Sequence, residues 1–143
     1  MKPPELFTWF IDRSLGRKIA VELRGAGFRV EGHASHFADD APDAEWLGEA
    51  GRRGWVVLTK DKAVRRNALE LAAIVAGNVA WFSLGHGNLK AAQMAQSFIA
   101  ARYRMEKVLR RYDPPMTASI TSTGNVTVLM TSGTLLPQPK SIK

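Results

Sequence analysis

The chain alternates between short apolar runs and stretches of helical spacing, and that alternation predicts most of its elements. Residues 7–12 form a β-prone apolar run that stops at a carboxylate, Asp12. Such a run fits a strand buried on both faces of an α/β sheet. From Ser14, a residue suited to a helix N-cap, the spacing becomes helical: Leu15, Ile19 and Leu23 share one face, and Gly25 and Gly27 close the segment. Residues 28–32 read as a second strand. A helix opened by Pro42 and Asp43 runs through Trp46 and Leu47 to about Arg53. Residues 55–59 are a third apolar strand, residues 62–76 a helix with Leu69, Ala72, Ala73 and Ile74 on its apolar face, and residues 79–84 a fourth strand. The order β, α, β, α, β, α, β predicts right-handed crossovers and a mostly parallel sheet covered by helices.

Residues 89–111 predict a long helix with Met94, Phe98, Ala101, Met105 and Leu109 at helical spacing, stopped by Asp113, Pro114 and Pro115. Residues 117–130 alternate as a strand pair turned at Gly124 and Asn125. The last residues, 131–143, read as a flexible tail. The expected organisation is one folded domain over 1–115, a hairpin extension of it over 116–130, and that tail.

Composition adds limits. At 143 residues and 45% hydrophobic, the chain can bury the core of one domain. The absence of cysteine excludes disulfides and thiolate metal sites, so any metal needs oxygen or imidazole ligands. No apolar stretch suits a signal peptide and none reaches about 18 residues, so a soluble cytoplasmic protein without membrane association is expected. The net charge of +7 suits a polyanionic partner. Residues 1–61 carry nine basic groups against ten acidic ones, whereas residues 62–143 carry eleven against Glu70, Glu106 and Asp113. Acidic groups thus gather where a cation can use them, and basic ones where a phosphate backbone can.

In a parallel α/β sheet, ligands bind beyond the carboxyl ends of the strands. Asp12 and Asp61 directly follow the first and third strands; Asp43, opening the helix after the second, lies on the same edge, with Glu45 one short reach further. Carboxylates on one rim repel unless something positive sits between them, and a hard cation such as Mg2+ or Mn2+ answers that need. Each residue also has a plainer explanation. Asp43 can cap its helix, Asp12 and Asp61 can pair with Arg13 or Lys60, and Asp39, Asp40 and Glu49 suit solvated charges. His33, His36 and His86 lack the helical spacing of a zinc pair and read as hydrogen-bonded or solvent-facing.

Three segments taken together, residues 10–17 (FIDRSLGR), 42–47 (PDAEWL) and 57–62 (VLTKDK), resemble the PIN-like family related to VapC-type toxins. The resemblance spans roughly residues 6–112. It implies a three-layer α/β/α sandwich with a mostly parallel central sheet and a metal-dependent endoribonuclease. Asp12 and Asp61 would be metal ligands, joined by Asp43 or Glu45 from the intervening helix. Arg13, Arg17, Lys60 and Lys62, with Arg65 and Arg66 from the next helix, would hold RNA phosphates. The best-known setting of the family is a toxin-antitoxin module, which implies an antitoxin protein as partner, and its members often form homodimers. One departure stands out: the fourth acidic position of such nucleases falls in residues 83–88, SLGHGN, where only the Ser83 hydroxyl or the Asn88 amide can stand in. That departure favours a rival reading, a non-catalytic PIN-like module that binds protein or nucleic acid. A receiver-like signalling domain would also use Asp12, Asp61 and Ser83. It would need paired acids after the first strand, where Arg13 follows Asp12, and a lysine after a fifth parallel strand.

Overall fold

Strands and helices alternate along the chain in a computed structural model that describes residues 7–60, 68–85 and 89–143. Asp61, Lys62, Arg65, Arg66, His86 and Asn88 lie outside the described residues, and so do the expectations placed on them.

The elements are β1 (Thr8–Ile11), α1 (Arg17–Gly25), β2 (Arg29–Gly32), α2 (Asp43–Arg53), β3 (Val56–Thr59), α3 (Ala68–Gly77), β4 (Ala80–Leu84), α4 (Ala91–Arg111), β5 (Met116–Ile120), β6 (Val126–Thr131) and β7 (Thr134–Ile142). They form a seven-stranded sheet in the order β2-β1-β3-β4-β5-β6-β7. The five strands β1 to β5 pair in parallel, and β6 and β7 add antiparallel. Because side chains alternate across a strand, Trp9 and Ile11 pack with Ile19 and Leu23 of α1 and Phe98 and Met105 of α4. Phe10, Val57 and Trp81 pack on the other face with Trp46, Leu47 and Ala50 of α2 and Ile74 of α3. The result is the expected α/β/α sandwich with a mostly parallel sheet.

The second face is built on stacked aromatic rings. Trp55 lies 5.4 Å from Phe10, Phe10 5.5 Å from Trp46, and Trp46 6.1 Å from Trp81, each pair close to parallel. Full burial of such side chains stabilises by about 1.5–3 kcal/mol each, so this stack anchors α2 to the sheet. Between α2 and α3 the backbones nearly touch: a Cβ on Gly51 would collide with the Gly77 carbonyl, and one on Gly77 would come within 3.0 Å of the Leu47 carbonyl oxygen.

Several local expectations need correction. Ser14 does not cap α1, whose N-cap is Gly16 with no side-chain bond, and Asp43 is the first residue of α2 and makes no cap bond either. The strand pair turned at Gly124 and Asn125 forms, with β5 and β6 antiparallel. However, α4 crosses over to make β5 a fifth parallel strand beside β4, so these residues belong to the central sheet. Thr121 follows β5, not the lysine that a receiver-like site requires. The tail expected to be flexible pairs instead as β7 along β6. Its sequence hides this because an edge strand tolerates Pro137 and Pro139, and of its residues only Ile142 is buried.

Candidate carboxylate cleft

At the carboxyl edge of the sheet the register lines up a polar row. The Asp12 N–H donates to the Leu58 carbonyl at 3.1 Å, which seats Asp12 beside Thr59, and Thr59 is in register with Ser83 and Ser83 with Ser119. Thr59 is fully buried, and a buried hydroxyl must find a partner. It donates to Asp12 Oδ2 at 2.9 Å, and the Ser14 hydroxyl donates to the same oxygen at 3.0 Å. Among the described residues nothing donates to Oδ1, and Asp12 forms no ion pair with Arg13 or Lys60. Two hydroxyls therefore fix the carboxylate without neutralising it.

Asp43 reaches the same place from the first turn of α2. Its Oδ1 accepts a hydrogen bond from Trp46 Nε1 at 3.0 Å, so the aromatic stack that holds α2 also orients this carboxylate. The amino end of a helix favours negative charge there, which offsets part of the repulsion from Asp12. Asp12, Arg13, Ser14, Asp43, Trp46, Lys60 and Glu70 line one cleft of about 330 Å³. Asp12 and Asp43, far apart in sequence, thus line the same cleft.

Glu70, in the first turn of α3, is the residue that sequence reasoning missed. A signal was available: it is the one acidic residue between positions 62 and 105 of a strongly basic half. Glu45 goes elsewhere. It lines a separate hollow with His36, Phe37, Glu49, Arg52 and Arg53, where both arginines pair with Glu49. Of the three α2 acids, only Asp43 lines the cleft with Asp12. Arg13 belongs to the cleft and to a larger adjoining hollow, which Arg17 also lines.

The basic residues of α4 lie apart from this cleft. The helix ends at Arg111, and β5 then begins beside Ala80, the first residue of β4, so Arg110 and Arg111 sit at the opposite edge of the sheet. Arg102 is committed to structure: it donates to the Ala26 and Gly27 carbonyls and lies 4.4 Å from the Phe28 ring. His33 departs from expectation as well. It is buried at 2% exposure among Phe10, Phe37 and Trp46, and neither ring nitrogen has a partner among the described residues. His36 does find one, Glu31 at 2.8 Å. Among the described residues no three His, Asp or Glu side chains are grouped closely enough to hold a metal, and none of the helices is long and apolar enough to cross a membrane.

A mostly parallel sheet with carboxylates at its carboxyl edge, flanked by helices on both faces, defines a class, and sequence similarity agrees with it. The chain belongs to the PIN-like family, whose profile, described as PIN like domain, matches residues 8–86. That span runs from β1 past β4 and includes every residue of the cleft. Among known proteins the chain is similar to "Putative ribonuclease VapC45" of Mycobacterium tuberculosis (strain ATCC 25618 / H37Rv), with 30% identity over 106 residues covering 71% of this chain and 77% of that protein. No solved structure matches the chain.

The buried hydroxyl at position 59 gives the cleft a direct check. Thr59→Val keeps the shape and removes one of the two donors that hold Asp12. Loss of such a supporting bond typically lowers metal affinity or activity by about 10–100-fold. Isothermal titration with Mn2+ should report a loss of that order with little change in the circular dichroism spectrum, and an unchanged titration would mean that Thr59 does not position Asp12.

Proposed function

We propose that this protein is a metal-dependent endoribonuclease that cleaves RNA in the cytoplasm as the toxin of a toxin-antitoxin module, with an antitoxin protein as its partner. The observation that carries this reading is Asp12, fixed by Thr59 and Ser14 with one carboxylate oxygen unclaimed by any described residue, in a cleft shared with Asp43, Glu70, Lys60 and Arg13. Family membership and the ribonuclease named in the similar mycobacterial protein support it.

The donors in the cleft are all hard oxygens, which suit Mg2+ or Mn2+. Mg2+ keeps several waters and is commonly held through one or two carboxylates, so Asp12 and Asp43 suffice as protein ligands, with Asp61 as a further proposed ligand. An ion held there would supply Lewis-acid chemistry, lowering the pKa of a water and offsetting charge on the scissile phosphate. The chain supplies the rest. Asp12 and Asp43 set the position of the ion, and the Glu70 carboxylate accepts the proton of the attacking water. The Lys60 ammonium and the Arg13 guanidinium take the scissile phosphate and its neighbour, contacts that position the strand without reading bases. Arg17, Lys62, Arg65 and Arg66 extend that basic track.

A second reading, an RNA-binding module without cleavage, is favoured by Ser83 standing at the end of β4 where a further acid would serve. One assay separates the two. With a fluorogenic RNA, cleavage should vanish in EDTA and return with Mn2+ or Mg2+. RNA binding without cleavage under any divalent ion would overturn the nuclease reading and leave the binding module.

A further inference from the structure

One hollow of the described surface adjoins the carboxylate cleft and shares two walls with it. It encloses about 500 Å³, within the range of sites that hold small organic ligands. Asp12 and Arg13 line both spaces, so anything seated in the hollow lies next to whatever the cleft holds. Its lining is divided. Ile11, Ala20 and Val21 give it an apolar side, and Val21 is 66% exposed there although it is a large aliphatic residue. Arg13, Arg17 and Arg24 give it a cationic side, countered by Asp12 and Asp39. Arg24 is tied to the Val30 carbonyl at 3.1 Å, while Arg13 and Arg17 make no bond to a described residue and are exposed. Gly16 and Gly32 leave the walls open, and a Cβ at either would meet nothing within 4 Å.

We infer that this hollow is a nucleoside subsite, which seats the base and sugar of the RNA residue adjoining the scissile phosphate. The inference rests on the nuclease reading for its place beside the cut and deepens it by adding a site that contacts a base. Its chemistry fits a flat, partly apolar ring joined to an anion. The aliphatic wall of Ile11, Ala20 and Val21 covers one face of the ring, and arginine guanidinium planes stack on bases or pair with the phosphate. A simple phosphate track needs neither the apolar wall nor the depth. Base-dependent preference therefore originates here, whereas Lys60 and Arg13 in the cleft treat all sequences alike.

The test fills the hollow from positions that can accept a larger side chain. Val21 is an exposed helix residue, and Gly32 has an ordinary backbone φ of −99° with open space beyond it. Binding of fluorescent pentamers of adenylate, cytidylate and uridylate is measured by anisotropy in EDTA, where nothing is cleaved. Wild-type protein should rank the three oligomers. Val21→Trp and Gly32→Leu should each weaken the preferred oligomer by about tenfold, as expected for loss of one stacked base, and flatten the ranking. Circular dichroism melting identifies any variant that fails to fold, and the other variant then decides. Equal binding of the oligomers by wild type, or unaltered binding by a folded filled variant, overturns the subsite even if cleavage persists. Conversely, ranked binding by wild type that the filled variants lose, in a protein that never cleaves RNA, keeps the subsite and removes the nuclease.

Discussion

Asp12→Asn should abolish most metal-dependent RNA cleavage while leaving the fold in place. The substitution keeps the size of the side chain, and the amide oxygen can still accept from Thr59 and Ser14, whose bonds at 2.9 and 3.0 Å set its position. What disappears is the negative charge that, in the proposed nuclease, would draw a cation between Asp12 and Asp43. Loss of a group that acts directly in such chemistry typically costs about 10²–10⁴-fold in rate, far more than the supporting hydroxyl of Thr59. Stability should change by no more than about 1 kcal/mol, because one partly exposed charge facing other carboxylates is removed and its hydrogen bonds are largely kept. The rate is read from single-turnover cleavage with saturating Mn2+, and stability from a urea melt. Full activity in a folded Asp12→Asn protein would place the chemistry elsewhere. A collapse of the melt would mean that Asp12 is structural and that its activity loss carries no information.

Gly51→Ala should destabilise the domain and disturb the cleft, whereas Gly48→Ala in the same helix should do the reverse to stability. Alanine favours a helix over glycine by about 1 kcal/mol at both positions. At Gly48 a Cβ meets nothing within 4 Å, so that gain stands alone. At Gly51 it would collide with the Gly77 carbonyl, which is backbone and cannot rotate away, so α2 and α3 must separate. Overpacking of this kind costs about 1–3 kcal/mol or more, which exceeds the propensity gain. At this chain length each kcal/mol moves the melting temperature by about 2–4 °C, so the two variants should fall on opposite sides of wild type. The same displacement reaches the site, because Asp43 opens α2 and Glu70 lies in the first turn of α3. Cleavage by Gly51→Ala at a temperature where it is folded should drop, while Gly48→Ala should match wild type. Equal melting temperatures for the two variants would contradict the close approach of the helices.

Much of the architecture is local in origin and is therefore written along the chain. The runs ending at Ile11, Thr59 and Leu84 are short, apolar and bounded by polar or helical segments, so they can only be buried strands, and the helices between them force parallel pairing. That logic also brought Asp12 and Asp43 to one edge, since a residue directly after a parallel strand and one opening the next helix have no other edge to occupy. Motif order carried the family, because three weak segments in sequence are specific where each alone is not.

Other features were decided only in three dimensions. Which acid of α2 enters the cleft depends on the rotation of the helix about its axis, set by Trp46 stacking between Phe10 and Trp81; this turns Asp43 toward Asp12 and Glu45 toward His36. Glu70 enters because α3 is pressed against α2 at Gly51 and Gly77, a contact between glycines that no hydrophobic pattern announces. The role of β7 depends on a partner, since an edge strand needs backbone bonds from β6 and little burial of its own, and prolines made it look like a tail. Spacing and apolar pattern determine which elements form and in what order. Contacts between residues far apart in sequence determine how each element is rotated and which of its side chains meet, and so they chose the members of the cleft.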